Sequence, residues 1–165
     1  MSSITVENDS KSGGEEPKGP QDPQRIKEMG KFLDDSLEKK DFESIISCFS
    51  DDCRIELLGK SLHGKDGVEK WLNWMFDAIE KVQLTPVVIM VEGDVFFEEF
   101  KVDGTTKNGS AITSKQSEVL VYEDYKVKEL RLYFDRLDFA DAIADKWPSK
   151  QIVRRIVEIS TKGLS

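Results

Sequence analysis

An α+β domain is predicted for this 165-residue chain, with helices first and an antiparallel sheet after them. Three observations carry the prediction. Apolar residues recur at helical spacing in the first half, and from Pro86 to Phe134 they tend to alternate with period two. No helix-length segment interrupts that second stretch, so its strands follow one another as a meander without parallel crossovers. The length gives room for one core with a tail or two.

Residues 1–23 hold Ser, Gly, Glu, Lys and Pro with few apolar side chains, too little to offset the entropy of ordering, and read as a disordered tail. The domain proper is expected over 24–146. Ile26, Met29, Leu33 and Leu37 make one helical stripe, and Phe42, Ile45, Ile46 and Phe49 a second after the N-cap Asp41, giving a helical hairpin. Cys53 to Leu58 reads as a strand closed by Gly59. Val68, Trp71, Leu72, Met75 and Ile79 line one face of a third helix, with Asp66 near its positive start.

Strands are expected at Pro86 to Glu92, Asp94 to Val102, Ser110 to Tyr122 and Val127 to Phe134. The turns between them are Gly93-Asp94, Asp103 to Gly109, and Glu123 to Lys126. Asp135 is expected to cap a helical turn around Phe139. Beyond the breaker Pro148, a C-terminal helical extension over 147–165 carries Ile152, Val153, Ile156 and Val157 on one side.

A net charge of -8 and a pI near 4.8 argue against a nucleic-acid surface, which needs clustered Lys and Arg. No run reaches membrane-span length, and the opening MSSITVENDS lacks a basic start and an apolar stretch, so a cytoplasmic protein is expected. Cys48 and Cys53 read as reduced core thiols. One histidine and two cysteines cannot build the usual tetrahedral metal set, and neither a metal nor a cofactor is expected.

Gly59 to Lys65, GKSLHGK, fits a phosphate-binding loop up to its last letter, where Asp66 stands in place of Ser or Thr. Such loops join a strand to a helix in a parallel sheet, so the antiparallel context rejects nucleotide binding. The glycines then serve the turn from strand to helix, and His63 reads as a turn residue.

FSDDCRIE, Phe49 to Glu56, resembles the YADDATVE run of ketosteroid isomerases, and LHGKDGV, Leu62 to Val68, resembles their IHGRExI. VKELRLYFD, Val127 to Asp135, is similar to the last strand of those isomerases, of SnoaL-like polyketide cyclases and of limonene-epoxide hydrolase. Spanning about Arg25 to Ile143, the set resembles the nuclear transport factor 2-like superfamily, in its SnoaL-like or ketosteroid isomerase-like branch. The resemblance implies a cone-shaped α+β fold: a helical hairpin and a third helix on a curved antiparallel sheet around a mostly apolar pocket. It does not imply one activity.

Mapped residue by residue, most of the catalytic pattern is missing. The isomerase base falls on Leu57 and its oxygen-holding Tyr near Leu33. The hydrolase positions fall on Ile55, Leu57 and Leu132, and near Phe100 and Val102. Glu118 corresponds to the isomerase acid that donates to the developing oxyanion and is kept neutral by apolar surroundings. Alternation places Glu118, Gln116 and Ser114 on one face of their strand and Glu98 and Phe100 on one face of the preceding strand, and the turn at Asp103 to Gly109 would set Glu98 near Ser114. Candidate catalytic residues are therefore Glu118 and Glu98. Ile55, Leu57, Trp71, Phe100, Ser114, Gln116, Leu132 and Phe134 are the candidate ligand-binding residues.

The opposite sheet face, with Val95, Phe97, Val119, Val121 and Tyr133, is apolar enough to predict a homodimer through it. Two functions stay open. One is a pocket protein for a small, largely apolar molecule, an isomerase, cyclase or lyase using Glu118 as acid or hydrogen-bond donor. The other is a non-catalytic binding or assembly module of the same fold.

Overall fold

The computed structural model describes residues 20–144 and 147–163, less the side chains at 141 and 143. The tail expected over 1–23 lies outside the described residues up to residue 19, and from Gln21 onward the chain is engaged. Asp22 accepts from the Gln24 backbone N–H at 3.0 Å and caps α1 (Pro23–Lys39). The Gln21 amide joins two turns of the sheet: it donates to Asp94 Oδ1 at 2.8 Å and to the Tyr122 carbonyl at 2.9 Å, and it accepts from the Tyr125 N–H at 2.6 Å.

Lys40 ends α1 in the left-handed conformation, and Asp41 caps α2 (Phe42–Cys48) by accepting from the Ser44 N–H at 3.1 Å. β1 (Phe49–Leu57) turns through Leu58-Gly59, both at positive φ, into β2 (Lys60–His63), a short strand the sequence pattern did not reveal. α3 (Gly64–Ala78) starts at once, and the Lys65 ammonium donates to the Ile46 carbonyl at 3.0 Å. The near phosphate-loop is thus a hairpin running into a helix.

Four strands follow: β3 (Ile79–Glu92), β4 (Val95–Thr106), β5 (Ala111–Glu123) and β6 (Lys126–Phe134). They form the expected antiparallel meander, but β3 begins at Ile79 rather than Pro86. It is an edge strand, where the bulge at Pro86 to Val88 accommodates proline's missing donor. The sheet order is β2-β1-β6-β5-β4-β3, and β1 runs parallel to β6, a pairing that joins the helical first half to the end of the meander. α4 (Leu137–Ile143) forms the helical turn expected around Phe139, and α5 (Ser149–Ser160) lies within residues 147–165.

The core lies between the sheet and the helices α1, α2 and α3, and includes Ile26, Leu33, Ile45, Phe49, Leu72 and Phe96. α1 comes close to β4 at Gly30, where an added Cβ would stand 2.6 Å from the Phe96 ring. Cys48 and Cys53 are free and buried. On the opposite sheet face Val95 and Tyr133 are 38% and 55% exposed, with Phe97, Val119 and Val121 half-buried. Among the described residues no helix is long and apolar enough to cross a membrane.

Candidate functional site

A cavity of about 240 Å³ opens between the inner sheet face and the helices α1, α3 and α4. Its wall is largely hydrocarbon, with Trp71, Trp74, Phe100, Leu132, Phe134 and Phe139 contributing the larger surfaces. α4 closes one side. Asp135 accepts from the Leu137 N–H at 2.8 Å, the Ser114 hydroxyl donates to Asp138 Oδ2 at 2.7 Å, and the Phe139 ring meets Phe134 edge-on at 5.3 Å. Arg136 also borders the cavity and donates to the Leu58 carbonyl at 2.9 Å.

Against this apolar wall stand three acids. Period-two alternation turns Glu98 and Glu118 inward, leaving them 1% and 6% exposed. They are cross-strand partners. The expected neighbour of Glu98 was Ser114, but β4 continues through Gly104 to Thr106 and the chain turns only at Lys107 to Ser110, which brings Glu118 opposite instead. Asp34, one turn beyond Gly30 on α1, completes the group. One carboxylate oxygen of each acid lies within 4.8 Å of the others, an arrangement able to hold a cation or to share protons.

Burial, reinforced by Glu98, pushes the Glu118 carboxyl up to about 8. Burial raises Asp34 as well, with Glu118, Glu98 and Asp35 adding repulsion and a hydrogen bond to Glu98 keeping the proton on Asp34. Glu98 is also raised, by burial, against the opposing effect of the bond it accepts from Asp34. The Tyr122 phenol, two residues past Leu120 on the same inward face, is pushed up by burial and by these carboxylates. Neither Glu98 Oε1 nor the Tyr122 hydroxyl has a hydrogen-bond partner, and the Trp71 indole N–H lacks one too.

The expected residues divide. Trp71, Phe100, Gln116, Glu118, Leu132 and Phe134 line the cavity, while Glu98 sits behind the wall. Three of the expected residues, Ile55, Leu57 and Ser114, are not among those lining it. Ile55 and Leu57 are core residues on β1, which packs against α3, and Ser114 is spent on holding α4. The expected site left out Asp34 and Phe139, and also Trp74, which helical spacing reads as core. Asp34 follows Leu33 in the apolar stripe and resembles the solvated acid Asp35 beside it; its one signal was the glycine a turn earlier. His63 is exposed and does not line the cavity, with Nε2 3.3 Å from the Ser61 hydroxyl.

The sequence over residues 30–130 matches the model of the SnoaL-like domain. No curated protein matches the sequence significantly. A putative SnoaL-like polyketide cyclase from Jannaschia sp. CCS1 superposes with a TM-score of 0.68 at 15% identity, over 75% of this chain and 94% of that one. An NTF2-like protein from Burkholderia pseudomallei gives 0.63 at 17%, over 79% and 95%. A protein of ketosteroid isomerase-like fold from Catenulispora acidiphila, in complex with trimethylamine, gives 0.63 at 15%, over 68% and 89%. At these identities the superpositions establish the cone-shaped fold and nothing finer. The family match covers more than half of the chain, which therefore belongs to the SnoaL-like domain family.

Proposed function

We propose that the protein binds a small, largely apolar molecule in the cavity and performs acid–base chemistry on it, as an isomerase, cyclase or lyase, with Glu118 as acid or hydrogen-bond donor. The observation that carries this reading is a carboxyl 6% exposed at an apolar cavity wall and pushed up to about 8, and so protonated at neutral pH. A neutral acid there donates to an oxygen on which charge develops, in surroundings that strengthen the bond. The fold's appearance in a putative polyketide cyclase and in a protein complexed with trimethylamine supports a small-molecule site. The two free, buried thiols fit a cytoplasmic setting.

Native mass spectrometry of the purified chain is expected to show a co-purified small molecule, which then serves as substrate or ligand. With it, Glu118→Gln is expected to lower kcat by about 10²–10⁴-fold with little change in KM. Unchanged turnover would remove Glu118 from the chemistry. The aliphatic residues Ile55, Leu57 and Leu132, at positions where the enzymes it resembles carry catalytic groups, favour a second reading as a binding module. In that case Glu118→Gln alters affinity and no reaction is found in the wild-type chain.

The half-exposed outer sheet face supports a homodimer. Sedimentation velocity is expected to give a dimer for the wild type and a monomer for Tyr133→Glu. A wild-type monomer at micromolar concentration would refute the assignment.

A further inference from the structure

We propose that the ligand of the cavity is a carboxylic acid, with its hydrocarbon body among Trp71, Phe100 and Phe134 and its carboxylate at the mouth, on Arg136 and the adjoining basic groove of Lys60 and Arg131. This rests on the cavity being the ligand site and adds the ligand's charge and the place where that charge is held.

Outside the cavity, a groove of about 480 Å³ runs between the turn joining β1 to β2 and the end of β6. Leu58, Leu132, Phe134 and Arg136 line both spaces, so a single layer of side chains parts them. Arg136 and Trp74 are exposed and yet line the cavity, which puts both at its mouth. The Arg136 guanidinium donates to the Leu58 carbonyl at 2.9 Å, a tie that fixes its head on the boundary between cavity and groove. Among the described residues that carbonyl is its one acceptor, and a guanidinium offers five donors in a planar fork that matches a carboxylate.

The groove is basic in a chain whose net charge is -8. Lys60, Arg131 and Arg136 line it against one acid, Glu56, and that carboxylate is already paired with Arg54. None of the three cations has an ion-pair partner among the described residues. The hydrogen-bond inventory adds an indication independent of charge: Arg131, which lines the groove itself, has a buried Nε without an acceptor. What it lacks is an oxygen. An alcohol would leave the charge unanswered, an ammonium would add to it, and a phosphate would bring nearly twice a carboxylate's charge beside Glu56. Inside the cavity the lining acids do not repel an anion at neutral pH, since Glu118 is pushed up to about 8 and Asp34 keeps its proton.

Phenylbutyrate is a one-ring probe of this chemistry, with phenylbutanol, phenylbutylamine and phenylbutyl phosphate as companions that differ only in the head group. Each is titrated calorimetrically into the full chain at neutral pH, and quenching of tryptophan fluorescence reports entry beside Trp71 and Trp74. Phenylbutyrate is expected to bind at least about tenfold tighter than each of the others. Its affinity is expected to fall as salt is added, because the charged head stays partly in solvent. Arg136→Gln and Arg131→Gln are expected to weaken phenylbutyrate about tenfold while leaving phenylbutanol unaffected, with circular dichroism verifying the fold. Lys60→Gln, at an exposed position, should weaken it in the same sense.

Equal or tighter binding of phenylbutanol or phenylbutylamine, with quenching, would overturn the carboxylate assignment and leave the cavity as a ligand site. Tighter binding of the phosphate would replace the carboxylate by that group. Heat from phenylbutyrate without quenching would confine the anion to the groove and overturn its link to the cavity, and uptake of none of the four overturns both readings. Tyr133 lines the groove and also belongs to the outer sheet face. A dimer that Arg131→Gln or Lys60→Gln dissociates, with phenylbutyrate affinity unchanged, would therefore assign the groove to contact between copies instead.

Discussion

Thermal stability is expected to fall as the pH rises from about 5 to about 8, the reverse of the behaviour of a protein whose buried carboxylates are paired with cations. Asp34, Glu98 and Glu118 all have folded-state values above their ordinary ones. Such groups contribute their full stability below the unfolded values, near pH 4, and lose it as the pH climbs through the folded values, which for Glu118 means about 8. Each group titrating only in the unfolded chain within that window costs about 1.4 kcal/mol per pH unit. The opposing groups act elsewhere. Hydrogen bonds hold Asp41, Asp52 and Asp103 below their ordinary values, so their contribution disappears only as the pH falls below about 4. Calorimetric Tm values should therefore peak between about pH 4 and 5 and decline toward 8. The decline should be much shallower in an Asp34→Asn, Glu118→Gln double variant. A wild-type Tm that rises over this range would show that the three acids are solvated.

Replacing Gly30 by Val is expected to destabilise the fold by about 1–3 kcal/mol. The added Cβ would meet the Phe96 ring at 2.6 Å, and Phe96, fully buried, has no solvent into which to swing. Ala makes the same first contact but recovers up to about 1 kcal/mol of helix propensity over Gly, so it should cost less. Phe96→Leu in the Val background should restore part of the loss, and a chemical-denaturation double-mutant cycle measures the coupling. Strict additivity would place the strain elsewhere. Asp34 lies a turn beyond Gly30 and Glu98 two residues beyond Phe96 on the same inward face. Forcing α1 away from β4 should therefore also weaken the pH dependence described above.

How much of this was legible in the sequence depended on whether local pattern or long-range pairing decided it. The inward faces of β4 and β5 were readable because alternation is a property of each strand by itself, and Glu98 and Glu118 are buried as that alternation requires. Their partnership was not readable. It depends on where the chain turns, and the turn-rich run from Asp103 onward stays paired through Thr106, whose N–H donates to the Ser110 carbonyl at 2.9 Å. The start of β3 was hidden because Ile79 continues the apolar period of α3 and no glycine or proline marks the junction. β2 is four residues long and mostly exposed, so it carries no alternation to detect. Asp34 is the most consequential omission. Only contact with β4 and β5 distinguishes it from the solvated acids of α1, and that contact is tertiary.

The parallel pairing of β1 with β6 has a kinetic consequence. Phe49 and Val127, partners across that pair, stand about 80 residues apart, so the loop entropy of bringing them together must be met before the contact returns anything. During synthesis the α1 to β2 segment emerges early, but β1 has only the four-residue β2 beside it until β6 leaves the ribosome. The β1 edge that β6 covers therefore has no strand to pair with until the last strand of the sheet has been made, and an unpaired edge of that kind invites association with other chains.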